Sequence, residues 1–219
     1  MHLSSDTLNV LKNFSTINPS IMFKEGNVLK TLSTQKTIMA QVEVDDNFDS
    51  SFAVYDLNQF LSTLSLFEQP SMEHQGSHIL ISDSKNATKY FCTDPEMVVT
   101  PPDKNIELPD TPVKFSMTAD DLKSSVSAAS VLQLPDWCVV GDGKVISIKV
   151  TDTKNETSNT FEREVGVTDA KFTMVFKTEN LKLLPGDYDV EISSQKISHF
   201  SSREGKVRYW IATETNSSI

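Results

Sequence analysis

The chain has 219 residues, with 20 Lys and Arg against 30 Asp and Glu, for a formal charge of −10. That balance gives no support for holding nucleic acid by overall electrostatic attraction. No apolar run approaches the roughly 18 residues of a membrane-spanning helix, the opening MHLSSDTLNV lacks the basic-then-apolar order of a secretory signal, and Cys92 and Cys138 provide no disulfide framework. A soluble, cytoplasmic protein of one large domain or two smaller ones is expected.

From Ser4 to Ile17 the spacing predicts an amphipathic helix. Ser4 and Ser5 are good caps, Asp6 suits the helix dipole, and Val10, Leu11, Phe14 and Ile17 fall on one side. The other side carries Asn9, Asn13 and Thr16, with Lys12 at its edge. Strands are expected over residues 21–44, with a hairpin turn at Glu25-Gly26-Asn27 and a break at Asp45-Asp46-Asn47. Phe52 to Tyr55 reads as a short strand feeding a helix capped by Asp56. That helix turns Leu57, Phe60, Leu61 and Leu64 inward and Asn58, Ser62 and Ser65 outward. Ser71 to Ser77 reads as loop, and residues 78–93 read as a strand pair ending in Tyr90-Phe91.

Thr93 to Phe115 interrupts this order. The stretch holds Pro95, Pro101, Pro102, Pro109 and Pro112, more than half of the chain's 9 prolines. Each proline fixes its own φ and biases the preceding residue toward extended backbone, so helix is excluded and a connector is expected. The assignment is a first domain over 1–100, a connector over 101–114 and a second domain over 115–219.

The order then repeats. Thr118-Ala-Asp-Asp-Leu122 stands where Ser4-Ser-Asp-Thr-Leu8 stood, with Asp121 placed for a capping box. The helix is expected to run to about Leu132, with Leu122, Val126, Ala129 and Leu132 inward. Its outer face is Lys123, Ser127 and Ser130, the register of Asn9, Asn13 and Thr16 displaced by 114. Gly141-Asp142-Gly143-Lys144 is a predicted hairpin turn, matched to Glu25-Gly26-Asn27. Phe172 to Phe176 leads into a second, shorter helix from Lys177 to Leu181 that Pro185-Gly186 stops. A repeat of this length predicts two similar α+β domains, with helices packed on antiparallel sheet.

Chemistry-bearing patterns are sparse. GDGKV lacks the upstream glycine spacing and the following Ser or Thr of a phosphate loop. His74 and His78 are four apart but separated by Gly76, and neither cysteine has a metal-ligand or redox neighbour. Asp45-Asp46 and Asp120-Asp121 stand at a turn and a helix start. The chain is expected to be a non-enzyme with no cofactor and no metal.

The words LSSDTLNVLKNFSTIN, AVYDLNQFLSTLSLF, DPEMVVTPPDK and LLPGDY, in this order along essentially the whole chain, resemble the DNA sliding clamps of T-even-type bacteriophages. The resemblance is weaker from Thr151 to Gly166. It implies a DNA clamp fold and a homotrimeric ring of six similar domains around duplex DNA, acting as processivity factor for the phage replicative DNA polymerase. It places Asn9, Lys12, Asn13, Thr16, Asn58, Ser62, Lys123, Ser127, Ser130, Lys177 and Lys182 toward DNA. It also implies an apolar pocket near the connector for partner peptides, where Met97, Val98 and Val99 are the apolar residues. The implied partners are the polymerase, an ATP-dependent clamp loader that keeps the ATP chemistry to itself, and late-transcription factors. No membrane is involved, and the location is the cytoplasm of the infected bacterial host. Three alternatives stay open on the residues alone: a phage structural or assembly protein of duplicated α+β domains, an acidic DNA mimic, and a hydrolase built on a carboxylate pair.

Overall fold

The protein is described by a computed structural model covering residues 1–104 and 106–219. Its contacts divide the chain into two compact units, Met1–Asp103 and Lys104–Ile219. Both are α+β, and each is built by laying helix on antiparallel sheet.

The first unit opens with α1 (Ser5–Ile17), whose Ser4 hydroxyl accepts the Thr7 N–H at 3.2 Å. Its apolar side is fully used: Leu11 and Phe14 have no exposed surface, and Val10 and Ile17 are buried. There follow β1 (Ile21–Phe23), β2 (Gly26–Leu32), β3 (Ile38–Phe48) and β4 (Phe52–Val54). Then come α2 (Leu57–Leu64), β5 (Ser71–His74), β6 (His78–Ser82) and β7 (Ala87–Phe91). α1 packs against β2, β3 and α2. Asp56 caps α2 as expected, accepting the Gln59 N–H at 2.9 Å. Phe23, Phe48, Phe52 and Phe60 form the aromatic centre, with Phe23 and Phe52 stacked at 4.5 Å.

Three expectations for this unit are corrected. Gly26 does not turn β1 back on β2. It takes φ +105° to open β2, while β1 pairs antiparallel with β4 and β2 pairs with β3. Asp45-Asp46-Asn47 does not end a strand, because β3 runs on to Phe48 and the irregularity is absorbed as a register shift between Gly26 and Val28. The Asp46 carboxylate lies there because it accepts the Ser4 N–H at 2.8 Å, tying the bulge to the start of α1. Ser71 to His74 is a strand rather than loop, paired with β6. His74 is held by Ser50 Oγ at 2.9 Å and by the Gly76 carbonyl at 2.8 Å.

After β7 the chain makes a 3-10 turn at Pro95–Met97, capped by Asp94. Proline is accepted there because the first residue of a helical turn needs no N–H partner. Lys24 pairs with Asp103. Further on, Asp110 accepts from Ser193 Oγ at 2.5 Å and from the Ser194 N–H at 2.9 Å, anchoring the connector's later part in the second unit.

The second unit comprises β8 (Val113–Met117), α3 (Ala119–Leu132), β9 (Asp136–Asp142), β10 (Val145–Thr151), β11 (Phe161–Val167) and β12 (Lys171–Lys177). It ends with β13 (Tyr188–Ile192), β14 (Ile197–Ser202) and β15 (Val207–Ala212). One antiparallel sheet has the order β11-β10-β9-β12, and β15-β14-β13-β8 form a second ladder. The expected hairpin at Gly143 is present, with φ +93° at the glycine and Asp142 accepting the Lys144 and Val145 N–H groups. Thr118 and Asp121 form the full capping box.

Two expectations fail here. Lys177 to Leu181 is not an α-helix but a 3-10 turn over Thr178–Asn180, with no side-chain cap, so among the described residues the second unit carries one α-helix where the first carries two. The segment offers too few apolar residues at helical spacing to bury a longer helix before Pro185. On α3, Val126 is only half-buried and Leu132 is 37% exposed. The buried positions include Ser125, whose hydroxyl receives the Trp137 indole N–H at 3.0 Å inside the core.

Candidate nucleic-acid interface

Each helix buries one stripe and leaves the opposite one in solvent. On α1, Asn9, Lys12 and Thr16 are exposed and Asn13 is half-buried, with the Thr16 hydroxyl donating to the Asn13 carbonyl at 2.7 Å. On α2, Asn58, Ser62 and Ser65 are exposed. The α1–α2 packing makes these neighbouring faces of one unit. On α3, Lys123, Ser127 and Ser130 are exposed, in the register of the α1 set. Amides and hydroxyls can donate to phosphate oxygens without sequence preference, directly or through water. Asp6 and Asp120, also exposed, lie only at the helix starts, where acids stabilise the dipole.

Lys177 and Lys182 have a different setting. Lys177 closes β12 with its ammonium 2.6 Å from Asp136 Oδ1, and Asp136 is 1% exposed. The other Asp136 oxygen accepts the Thr153 N–H at 2.9 Å and the Thr153 hydroxyl at 2.6 Å. Burial acts to raise the Asp136 pKa, but the Lys177 and Thr153 hydrogen bonds and the Lys177 charge outweigh it, leaving the net value below the usual carboxylate range. Lys177 is thus the counter-ion of a buried carboxylate. Lys182 is half-buried beyond the 3-10 turn.

A second network escaped the sequence reading. Arg163 on β11 reaches Asp120 at 2.7 Å, Asp121 at 2.5 Å and the Ser124 hydroxyl at 3.0 Å, locking the first turns of α3 to the sheet. The Asp120-Asp121 pair is therefore occupied in holding this helix. Alternation in FEREVGV marks the strand, but nothing local shows which carboxylates Arg163 meets.

Of the connector's apolar residues, Met97 is 63% and Val99 39% exposed, whereas Val98 is 7% exposed and packs into the protein. Two sheet edges also stand out. β7 ends the β5-β6-β7 sheet, with Phe91 69% exposed and Tyr55 close by at 62%, around an open hollow of about 430 Å³ lined also by Gln59 and Lys89. β11 ends the other sheet, with Glu162, Glu164 and Val167 exposed. Among the described residues no cluster of three or more His, Cys, Asp or Glu is placed to hold a metal. Burial pushes the Cys138 thiol up to about 12, so it stays protonated and unreactive near neutrality.

The Asp136–Lys177 pair makes a signed prediction. A carboxylate with a depressed folded pKa contributes stability above its unfolded value, near 4, and loses it as pH falls through the folded value. Lys177→Met strands the buried charge and should cost about 2 kcal/mol at pH 7, below the range for a fully buried pair. The deficit should shrink by pH 3, as Asp136 in the variant takes up a proton more readily than in the parent. Urea unfolding of both proteins at the two pH values, at one protein concentration, measures this; an equal deficit at both would remove the charge argument.

Comparison with known proteins agrees with this architecture. Residues 4–91 match the family model described as DNA polymerase processivity factor, and residues 114–215 match the gp45 sliding clamp C-terminal model. The sliding clamp of Vibrio phage KVP40 is 31% identical over 98% of this chain and 99% of its own length. That of Escherichia phage RB69 is 30% identical over 99% and 98%. Among solved structures, PCNA from A. fulgidus, determined with the C-terminal region of FEN-1 bound, superposes with a TM-score of 0.68 at 15% identity, covering 96% of both chains. The DnaN clamp subunit of Bartonella birtlesii gives 0.71 at 16% identity over 98% of this chain, which spans only 64% of that subunit. These structural likenesses are to the fold. Together with the full-length sequence matches, they establish that the chain belongs to the sliding clamp family of phage DNA polymerase processivity factors.

Proposed function

We infer that three copies of this chain close head to tail into a ring that encircles duplex DNA and tethers the phage replicative polymerase. The observation that carries the reading is the repeated outer helix face: Asn9, Lys12, Asn13 and Thr16 on α1, Asn58 and Ser62 on α2, and Lys123, Ser127 and Ser130 on α3. A chain of charge −10 cannot hold DNA by net attraction, but a ring can hold it topologically if the helix faces toward it are neutral or mildly positive. Weak contacts then suit sliding. Lys12 and Lys123 supply the positive charge, and Lys177, committed to Asp136, contributes little. Lys182 completes the proposed set from beyond the 3-10 turn.

Closure is assigned to the two open sheet edges. An unpaired edge is a template for another strand, and a head-to-tail contact joins two different surfaces of the same chain. β7 brings Lys89 and the exposed Phe91; β11 brings Glu162, Glu164 and the exposed Val167. Antiparallel pairing of β7 with β11 of the next copy sets Lys89 against the glutamates. Light scattering after size exclusion, at tens of micromolar, should give three times 24.4 kDa, about 73 kDa. Lys89→Glu should shift the mass toward the monomer, and Glu162→Lys with Glu164→Lys in the same chain should restore it. A monomer in the unaltered protein would favour the acidic DNA mimic or the assembly protein over a preformed ring.

Lys12→Glu with Lys123→Glu should leave the trimer intact while reducing polymerase stimulation, with retention on circular DNA falling about ten-fold or more as salt rises. Full stimulation would remove both lysines from the DNA face.

The connector is the proposed docking site for partner tails, on the exposure of its apolar residues Met97 and Val99. Met97 and Val99 are the contact residues, and Val98 supports the connector from beneath. Met97→Asp with Val99→Asp should weaken polymerase binding about ten-fold or more without altering the mass. Unchanged affinity would move the site elsewhere. The clamp loader and late-transcription factors are assigned to the same ring, in the cytoplasm of the infected bacterium. Hydrolysis of ATP belongs to the loader, and the clamp itself is assigned no catalysis and no cofactor.

A further inference from the structure

In the second unit the β11-β10-β9-β12 sheet ends on β12, and the edge of β12 is occupied by the last segment of the chain. Ser218 exchanges both backbone hydrogen bonds with Thr173, each 2.8 Å, and the Glu214 N–H donates to the Val175 carbonyl at 2.7 Å. Between these points the ladder is irregular: the Val175 N–H is accepted by the Ser217 hydroxyl at 2.9 Å instead of by a carbonyl. Outside the edge, the Lys196 ammonium donates to the Thr215 carbonyl at 2.6 Å, and the Asn216 amide to the Thr153 hydroxyl at 3.2 Å.

This segment closes the edge but buries little. Thr215, Asn216, Ser218 and Ile219 are exposed, Ile219 at 55% despite its apolar side chain. Its hold is a few hydrogen bonds, some part-buried against Val175 and others exposed, each worth about 1 kcal/mol net. Segments with few buried apolar contacts open locally at small cost, well below global unfolding. β12 itself offers seven residues of edge, Lys171–Lys177, of which the segment engages the backbone of Thr173 and Val175.

We propose that residues 214–219 are a displaceable segment guarding the β12 edge, and that an extended, acidic peptide of a partner protein pairs with that edge by replacing them. Strand addition gives affinity through backbone bonds and needs a straight segment of about five to seven residues. The acidic preference follows from exposed Lys171 on the edge and from Lys196, which displacement frees from Thr215. The resident segment carries one acid, Glu214, but is not a regular strand: it turns at Thr215–Asn216, where the Ser217 N–H donates to the Glu214 carbonyl at 3.1 Å. The proposal concerns the second unit alone and does not rest on the ring.

The test uses the full chain and a fluorescein-labelled peptide of residues 213–219, TETNSSI, as probe. Ser217→Ala with Ser218→Pro removes the hydroxyl that accepts from Val175 and the N–H that donates to Thr173. In that variant the Thr173 and Val175 amides should exchange about ten-fold faster, with β9 and β10 amides unchanged. Anisotropy should show the probe binding the variant about ten-fold more tightly than the parent. Unchanged exchange, equal affinity for both proteins, or binding to neither overturns the proposal. Should the variant lose β9 and β10 protection, the unaltered protein decides: with isoleucine methyl groups labelled, excess probe should move the Ile219 signal to its free-chain position. An Ile219 signal that stays in place overturns strand exchange.

Discussion

The constraint on which the structure depends is that a helix laid on an antiparallel sheet can bury only one stripe of its surface. α1 spends Val10, Leu11, Phe14 and Ile17 on that contact, and α3 spends Leu122, Ser125 and Ala129. Packing fixes those positions and says nothing about the stripe on the other side, which is free to take a functional composition. Here it takes amides and hydroxyls on α1 and α2, hydroxyls on α3, and a single lysine on each of α1 and α3. The sheets provide the stiffness that keeps these faces in place, and the caps at Ser4, Asp56 and Thr118 fix where each helix begins.

The second organising feature is how charge is used. Most carboxylates with depressed pKa values are structural acceptors: Asp46 for the start of α1, Asp121 for the capping box, and Asp136 for Lys177 and Thr153. Burial works against ionisation at each of these three, and hydrogen bonding overcomes it. A few of the chain's carboxylates are therefore spent on structure. Arg163 and Lys177 are similarly committed to carboxylates. Net charge alone would mislead here, since it does not distinguish paired groups from groups left to meet a ligand.

Sheet edges form the third theme. Five-residue β7 and seven-residue β11 are open, while β12 is covered by the chain's own last residues. Unpaired backbone groups are costly to bury and prone to capture other strands, so the treatment of an edge indicates how a protein meets its neighbours. Open edges with complementary charge suit assembly with a second copy. An edge covered by a thinly held, irregular segment suits exchange.

What the sequence by itself determined was the local periodic structure: the three helices and their outer faces, the caps, the Gly143 hairpin and the α+β class. These follow from side-chain spacing and backbone propensity within a few residues, and family resemblance extended them to a clamp. Tertiary structure alone decided the rest. Gly26 looked like a hairpin turn because its neighbours are apolar, yet β1 found a better partner in β4. Lys177 to Leu181 had the position of a helix in the repeat but not the apolar surface to sustain one. Lys177 read as a DNA-facing cation until folding set a buried carboxylate against it, and Val98 read like Met97 and Val99 as a partner-pocket residue, although it alone of the three is buried. The β1–β4 pairing and the Lys177–Asp136 ion pair depend on partners far away in sequence, and pairing over such distances leaves no mark in local spacing.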